Sequence, residues 1–447
     1  MAGIIGLYGY DTAWKMARFA YYGLMALQHR GQESCGISVY DGERILCEGR
    51  AGMVDQAFGE AELEGLRGWV GIGQVDPEPP MGRPRAKPSF AKGPVGLSLV
   101  CDGSAAGAAE AARERGLSAG DPQGALAELL SNGLAEGDPL DAVEGVAEAL
   151  KGACNFIALT ERGEMIAYRG ELGVKPMVVG NFGFDYGAIA SESCALDVIG
   201  ADLKADLWPG EAYLFTPWSI ERRRIKRANP KYCAFEYVYL ARPDSIMNGK
   251  SVYEVRMRIG ERLASESGIG DVDSVLAVPE TAIPFAMSFS NATGKPIGMG
   301  FVQTGRRVRS AIRPTQFERL VGVQLKLNPI RSAMAGKKVM LIDDSVVRGT
   351  TTKNTVKVMR NRMGAKEVHV RIGSPRIVSP CPFGIEVPDK DELIAAHLSE
   401  EEVGKVVEAD TFHWLSLEGL VDAIGLPRGD LCLGCFTGEY PLHGDRI

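Results

Sequence analysis

At 447 residues the chain is longer than one hydrophobic core usually serves, and 45% hydrophobic with 24% charged residues is the make-up of a globular, soluble protein of two domains. A formal net charge of −7 supplies no general attraction to nucleic acid or to an anionic membrane. No apolar run approaches the length of a membrane span and no charged start leads into a hydrophobic signal core, so a cytoplasmic location is the expectation. Nine cysteines in that compartment point to metal binding, catalysis or plain burial rather than to a disulfide framework.

In chain order, "KMARFAYYGLMALQHRG" (15–31) carries apolar residues at helical spacing and stops at Gly31, which predicts a helix. The prolines of "DPEPPMGRPRAKP" (76–88) exclude regular structure. "GPVGLSLV" (93–100) and "GEMIAYRG" (163–170) read as strands, and the Ala-, Glu- and Leu-rich stretch from Ala105 to Ala153 as helical. "IERRRIKR" (220–227) is a local basic run, read as the solvated face of a strand. Beyond about residue 240, strands such as "SVLAVPE", "KKVMLIDD" and "EVHVRIGS" alternate with helical stretches such as "FAMSFSNATG" and "TTKNTVKVMRNRMG". That alternation predicts an α/β fold with a parallel sheet covered by helices.

"VMLIDDSVVRGTT" (339–351) ends an apolar strand in two carboxylates and a glycine-hydroxyl turn. In an open parallel sheet ligands bind beyond the carboxyl ends of the strands, which puts Asp343 and Asp344 where a substrate is held. Gly349 allows close backbone approach, and the N–H groups and hydroxyls of Thr350 and Thr351 at the start of a helix suit a phosphate. The carboxylates suit ribose hydroxyls and Mg2+. The plain alternative is a strand end with an Asp cap on a helix.

This string resembles the phosphoribosyl pyrophosphate (PRPP) loop of type I phosphoribosyltransferases. Together with "YYGLMALQHRGQESCGI", "ASESCALDVIGA", "PGEAYLF", "CAFEYVYLARPDS", "GAKEVHVRIGSPRIVSPCPFGIEVPDKDELIAAH" and "CLGCFTGEYP", it is similar to the glutamine PRPP amidotransferase family over nearly the whole chain. The resemblance implies a glutaminase-like αββα domain of the N-terminal nucleophile hydrolase type over 1–235. It also implies a type I phosphoribosyltransferase domain with a doubly wound parallel sheet and a cluster-binding tail over 236–447, and a homodimer or homotetramer. Asp343 and Asp344 are then expected at the ribose and Mg2+, Ser345, Val346, Val347, Arg348, Gly349, Thr350 and Thr351 around PRPP, and Arg309 in catalysis.

The resemblance also sorts the cysteines. Cys233, Cys381, Cys432 and Cys435 fall on positions that hold a [4Fe-4S] cluster in one branch of the family, with structural zinc as the chemical rival for four thiolates. Cys35, Cys154 and Cys194 read better as buried thiols.

Departures from the family concentrate in two places. Ala2 stands where the family's cysteine nucleophile is expected, Asp76 where an arginine holds the glutamine carboxylate, Asp102 where an asparagine serves the oxyanion, and Pro122 where an aspartate holds the substrate's amino group. These four imply an inactive glutaminase half. In the other half, Ala282 replaces a serine that ligates magnesium, and "QTGRRVRS" (303–310) replaces the family's closing loop, with Gln303 for lysine and Arg306 for tyrosine while Arg309 and Ser310 are kept. Three functions compete: formation of 5-phosphoribosylamine from ammonia that is free or passed from a separate glutaminase; phosphoribosyl transfer to another small nucleophile; and a non-catalytic PRPP or nucleotide sensor that regulates an active homologue. The intact PRPP loop favours a working enzyme over a sensor, the altered closing loop favours a changed acceptor, and amination is the default acceptor chemistry. Neither nucleic acid nor membrane is an expected partner.

Overall fold

The computed structural model describes residues 2–77, 88–117, 120–303 and 327–441. Most of the proline-rich 76–88 stretch, and the 304–310 part of the closing loop with Arg306, Arg309 and Ser310, lie outside the described residues.

The first half is a sandwich of two antiparallel sheets. One has seven strands with Gly3–Gly9, Val70–Asp76 and Ser34–Tyr40 as successive neighbours, and the other has six with Met165–Arg169, Cys154–Thr160 and Leu97–Gly103 adjacent. Strand residues alternate between faces, so each sheet has two apolar sides to cover. Between the sheets Ile4, Ile72 and Ile189 meet Val100, Ile157 and Phe215. On the outer face of the seven-stranded sheet Ile5 and Leu7 pack under the helix Met16–Ala26, as its spacing predicted. On the outer face of the other sheet Leu97, Leu99 and Cys101 pack under three helices, Ala108–Glu114, Pro122–Gly133 and Pro139–Ala149. The Ala105–Ala153 stretch is therefore helical but broken twice, where Asp121 and Asp138 cap helices that begin with proline. Ile220–Arg224 is an edge strand of the six-stranded sheet with alternating exposed residues, which accommodates its charges.

The second half is built on five parallel strands in the order Ile297–Gly298, Ser274–Ala277, Lys338–Asp343, Glu367–Ile372, Thr411–Trp414. Val339 and Leu341 face one helical layer with Val356 and Val403, while Met340 and Ile342 face another with Val255, Ile259 and Phe285. A parallel sheet buried on both faces requires such continuous apolar strands. The second of these cores also takes in Ala153, Leu172 and Val174 from the sandwich and Leu431 to Phe436 from the tail, so the two halves and the C-terminal segment share one apolar contact.

Candidate active site

Lys338–Asp343 occupies the middle of the parallel sheet and is buried up to its last residue, so its carboxyl end opens at the crevice where such sheets bind ligands. Asp343 accepts the N–H of Asp344 at 2.9 Å, and the Ser345 hydroxyl donates to Asp344 at 2.7 Å. Burial, and then the charge of Asp344, push the Asp343 carboxyl well above the usual carboxylate range. The pair is thus poised for a cation or for hydroxyl donors.

Val346 turns into the core and the Val347 carbonyl accepts from Ile394 N–H at 3.0 Å, which fixes the loop. Gly349 has φ +75°, and a Cβ there would lie 2.8 Å from the Ile394 side chain. The helix Thr350–Lys357 then starts without any side-chain cap, with Thr350 and Thr351 exposed at its positive end. The Arg348 side chain turns away, donating to Glu392 at 2.6 Å, so only its main chain joins this cradle. Ala282 is fully buried at the start of the helix Ile283–Thr293 and offers no side-chain donor. The Gln303 side-chain Oε1 is buried with no hydrogen-bond partner among the described residues.

The four positions expected in a glutaminase site are brought near one another but are otherwise engaged. Arg30, fully buried, donates to Glu192 at 2.6 Å, to Glu236 at 2.9 and 3.1 Å, to Asp102 at 3.2 Å and to the carbonyl of Ala2 at 3.0 Å. Asp102 also accepts the main-chain N–H of Ala2 at 3.1 Å. Its carboxylate is paired with Arg30 and, as a carboxylate, is no donor for an oxyanion. Asp76 accepts from the Gln74 amide at 2.8 Å, while Gln74 in turn accepts from Cys101 N–H at 3.2 Å and the Gln123 amide at 3.3 Å. Pro122 opens its helix, and the carboxylate one residue earlier, Asp121, accepts from Gly124 N–H at 2.8 Å as the cap. Glu192 further accepts from Arg242 N–H at 2.9 Å and the Ser245 hydroxyl at 2.7 Å, with His29 Nε2 at 2.7 Å. Burial alone would raise the Glu192 carboxyl, but the charges of His29 and Arg30 hold it well below the usual range. His29, Arg30, Glu192 and Glu236 lie inside the segments that carry the family resemblance, yet no local pattern marks them as one cluster.

Tyr232–Cys233 runs parallel to Leu431–Cys432 with Cys233 opposite Cys432. The Cys435 carbonyl accepts from Val378 N–H at 2.8 Å, and the Tyr440 hydroxyl donates to Pro380 at 2.5 Å, which draws the Cys381 turn alongside. All four thiols are unbonded to one another. Burial pushes Cys233 and Cys435 well above the usual thiol range and Cys432 up to about 11, and each also feels the charge of others in the set. Lys175 is fully buried beside Cys233 and Cys432, its ammonium without a hydrogen-bond partner among the described residues. Among the described residues no group of three His, Cys, Asp or Glu side chains is placed to hold a metal ion. The expected ligand set is therefore a neighbourhood and not a closed coordination geometry.

An αββα sandwich joined to a doubly wound sheet with carboxylates and an uncapped helix beyond its central strand defines a class: a type I phosphoribosyltransferase fused to an N-terminal nucleophile hydrolase-like domain. No family model matches the chain. It is 38% identical to the amidophosphoribosyltransferase of Methanocaldococcus jannaschii, over 99% of this chain and 98% of that one, and 38% identical to that of Archaeoglobus fulgidus with the same coverage. Among solved structures, the glutamine PRPP amidotransferase from B. subtilis complexed with ADP and GMP superposes with a TM-score of 0.89 at 35% identity, covering 99% of this chain and 97% of that chain. One described as the allosteric regulatory enzyme of purine biosynthesis gives 0.90 at 34% identity, covering 99% and 96%. The chain belongs to the amidophosphoribosyltransferase family. No helix among its described residues is long and apolar enough to cross a membrane.

Proposed function

We propose that this chain transfers phosphoribosyl from PRPP to ammonia, forming 5-phosphoribosylamine for purine biosynthesis, and that its glutaminase half is inactive. The reading rests on one contrast. The loop from Asp343 to Thr351 is open at a strand end and a helix N-terminus, whereas Asp102 and Asp76 are consumed by Arg30 and Gln74. The names carried by its relatives support the transferase chemistry. We place the division between the halves at 235/236.

In this reading the main-chain N–H groups from Ser345 to Thr351 and the hydroxyls of Thr350 and Thr351 grip the 5-phosphate. Asp343 and Asp344 hold the ribose hydroxyls and bind Mg2+, which supplies positive charge for the departing pyrophosphate. We also assign Arg309 to catalysis. With the anomeric carbon fixed between these groups, positioning and electrostatics carry most of the rate. Cys233, Cys381, Cys432 and Cys435 are the residues that would hold a [4Fe-4S] cluster, whose role would be structural. The buried, unpartnered ammonium of Lys175 beside them fits a site that carries negative charge when loaded. The protein acts as a homo-oligomer in the cytoplasm and draws ammonia from solution or from a separate glutaminase.

The test is the double variant Asp343→Asn, Asp344→Asn. Its near-isosteric side chains leave the fold intact, while PRPP turnover with ammonium falls by roughly a hundredfold to a thousandfold. Wild-type turnover in the double variant contradicts the assignment. Wild-type protein that is stabilised by PRPP with Mg2+ but never releases pyrophosphate with ammonium points instead to another acceptor, as Ala282 and Gln303 would allow.

A further inference from the structure

Cys101 and Cys154 belong to neither the transferase site nor the four-cysteine neighbourhood. They sit on adjacent antiparallel strands, where Cys101 stands opposite Phe156 and Gly103 opposite Cys154. That register makes them a diagonal pair on one face of the sheet, the face roofed by the three helices between residues 108 and 149. Their sulfurs lie 3.1 Å apart, and no disulfide joins them. A disulfide bond is about 2.05 Å long, so an approach of about 1 Å, shared between two side chains, closes it. Between them in sequence and on the opposite face, Asp102 pairs with Arg30.

We propose that Cys101 and Cys154 are a dithiol that closes to an intramolecular disulfide by exchange with a low-molecular-weight disulfide, stapling the strand end that carries Asp102 to its neighbour. Cys101, 5% exposed against 1% for Cys154, is the point of entry. The Cys154 thiol is also held well above the usual range by its contact with Cys101 and by burial. The Cys101 sulfur, as thiolate, attacks one sulfur of the small disulfide, whose S–S bond breaks, and the departing thiolate takes up the proton that Cys101 lost. The Cys154 sulfur then displaces the second small thiol from the mixed disulfide, its proton leaving with that thiol. Two protein S–H bonds and one external S–S bond become one protein S–S bond and two external S–H bonds, with the protein oxidised and the small disulfide reduced. The crosslink closes a loop that contains the whole outer helical layer of this sheet, so it restrains the unfolded chain.

The full chain is incubated with glutathione disulfide, denatured, alkylated and digested. A peptide pair joining Cys101 to Cys154, lost on reduction with dithiothreitol, is the expected product, together with a melting temperature several degrees above that of the reduced protein. Cys101→Ser and Cys154→Ser each remove the link and the rise, and Cys101→Ala replaces any serine variant that does not fold. Complete alkylation of both residues while other cysteines oxidise overturns the proposal. So does a glutathione adduct that persists on Cys101 without forming the link.

Discussion

At Arg30 a single guanidinium serves three carboxylates whose owners lie 72, 162 and 206 positions away in the chain. The sequence shows a carboxylate at Asp102 where the family resemblance leads one to expect a donor amide. It does not show what pairs with that carboxylate, because the partner is reached only through the fold. Removing the cation leaves Asp102, Glu192 and Glu236 buried against one another. Arg30→Met is therefore expected to cost on the order of 3–5 kcal/mol near neutral pH, measured by urea denaturation. The sign with pH follows from Glu192. Its folded-state pKa is depressed, so its contribution is present above the unfolded carboxylate value of roughly 4.3 and is lost as pH falls through the folded value. The deficit of Arg30→Met should accordingly shrink below about pH 4. A deficit that stays constant down to acid unfolding would mean that it arises from lost packing and not from the charges of these carboxylates.

Among the elements, the strand-loop-helix from Lys338 to Lys357 was legible because its whole meaning is local: an apolar run, two carboxylates, a glycine and a helix start. The outer helical layer was legible as helix but not as three helices, although Asp121-Pro122 and Asp138-Pro139 are cap-and-proline pairs that mark both restarts. Cys154 is the buried thiol the sequence suggests, but the sequence does not show that Cys101 lies beside it, since a diagonal contact across strands depends on register. Gly349 lies in the turn between the strand and the helix of this segment, with a left-handed backbone and Ile394 close to it. Gly349→Ala should destabilise the protein by about 1–2 kcal/mol and raise the KM for PRPP more than it lowers kcat. Equal KM values in variant and wild type would place the phosphate elsewhere.

Over the whole molecule, the α/β class and the parallel sheet followed from alternation, whereas the union of the halves did not. It depends on an apolar contact that gathers Ala153, Leu172 and Val174 with the tail from Leu431 to Phe436, on Cys233 standing opposite Cys432, and on the hydrogen bonds of Arg30 with Glu236 and of Glu192 with Arg242 and Ser245. If the four cysteines hold a cluster, protein prepared without oxygen is brown and contains about four irons per chain. Cys432→Ser should then lower both iron content and folded yield, because the ligands tie the tail to the connection between the halves. Stoichiometric zinc without iron would assign the site to the rival metal.

We propose that phosphoribosyl transfer persists in a chain whose glutaminase-like half has Asp102 and Asp76 engaged by Arg30 and Gln74. It is tested most directly by pyrophosphate release from PRPP with Mg2+, measured with ammonium and with glutamine as alternative nitrogen donors. Release with ammonium, no release with glutamine, and no glutamate formed from glutamine in the presence or absence of PRPP are the predicted results. Glutamine-supported release accompanied by glutamate would contradict the account.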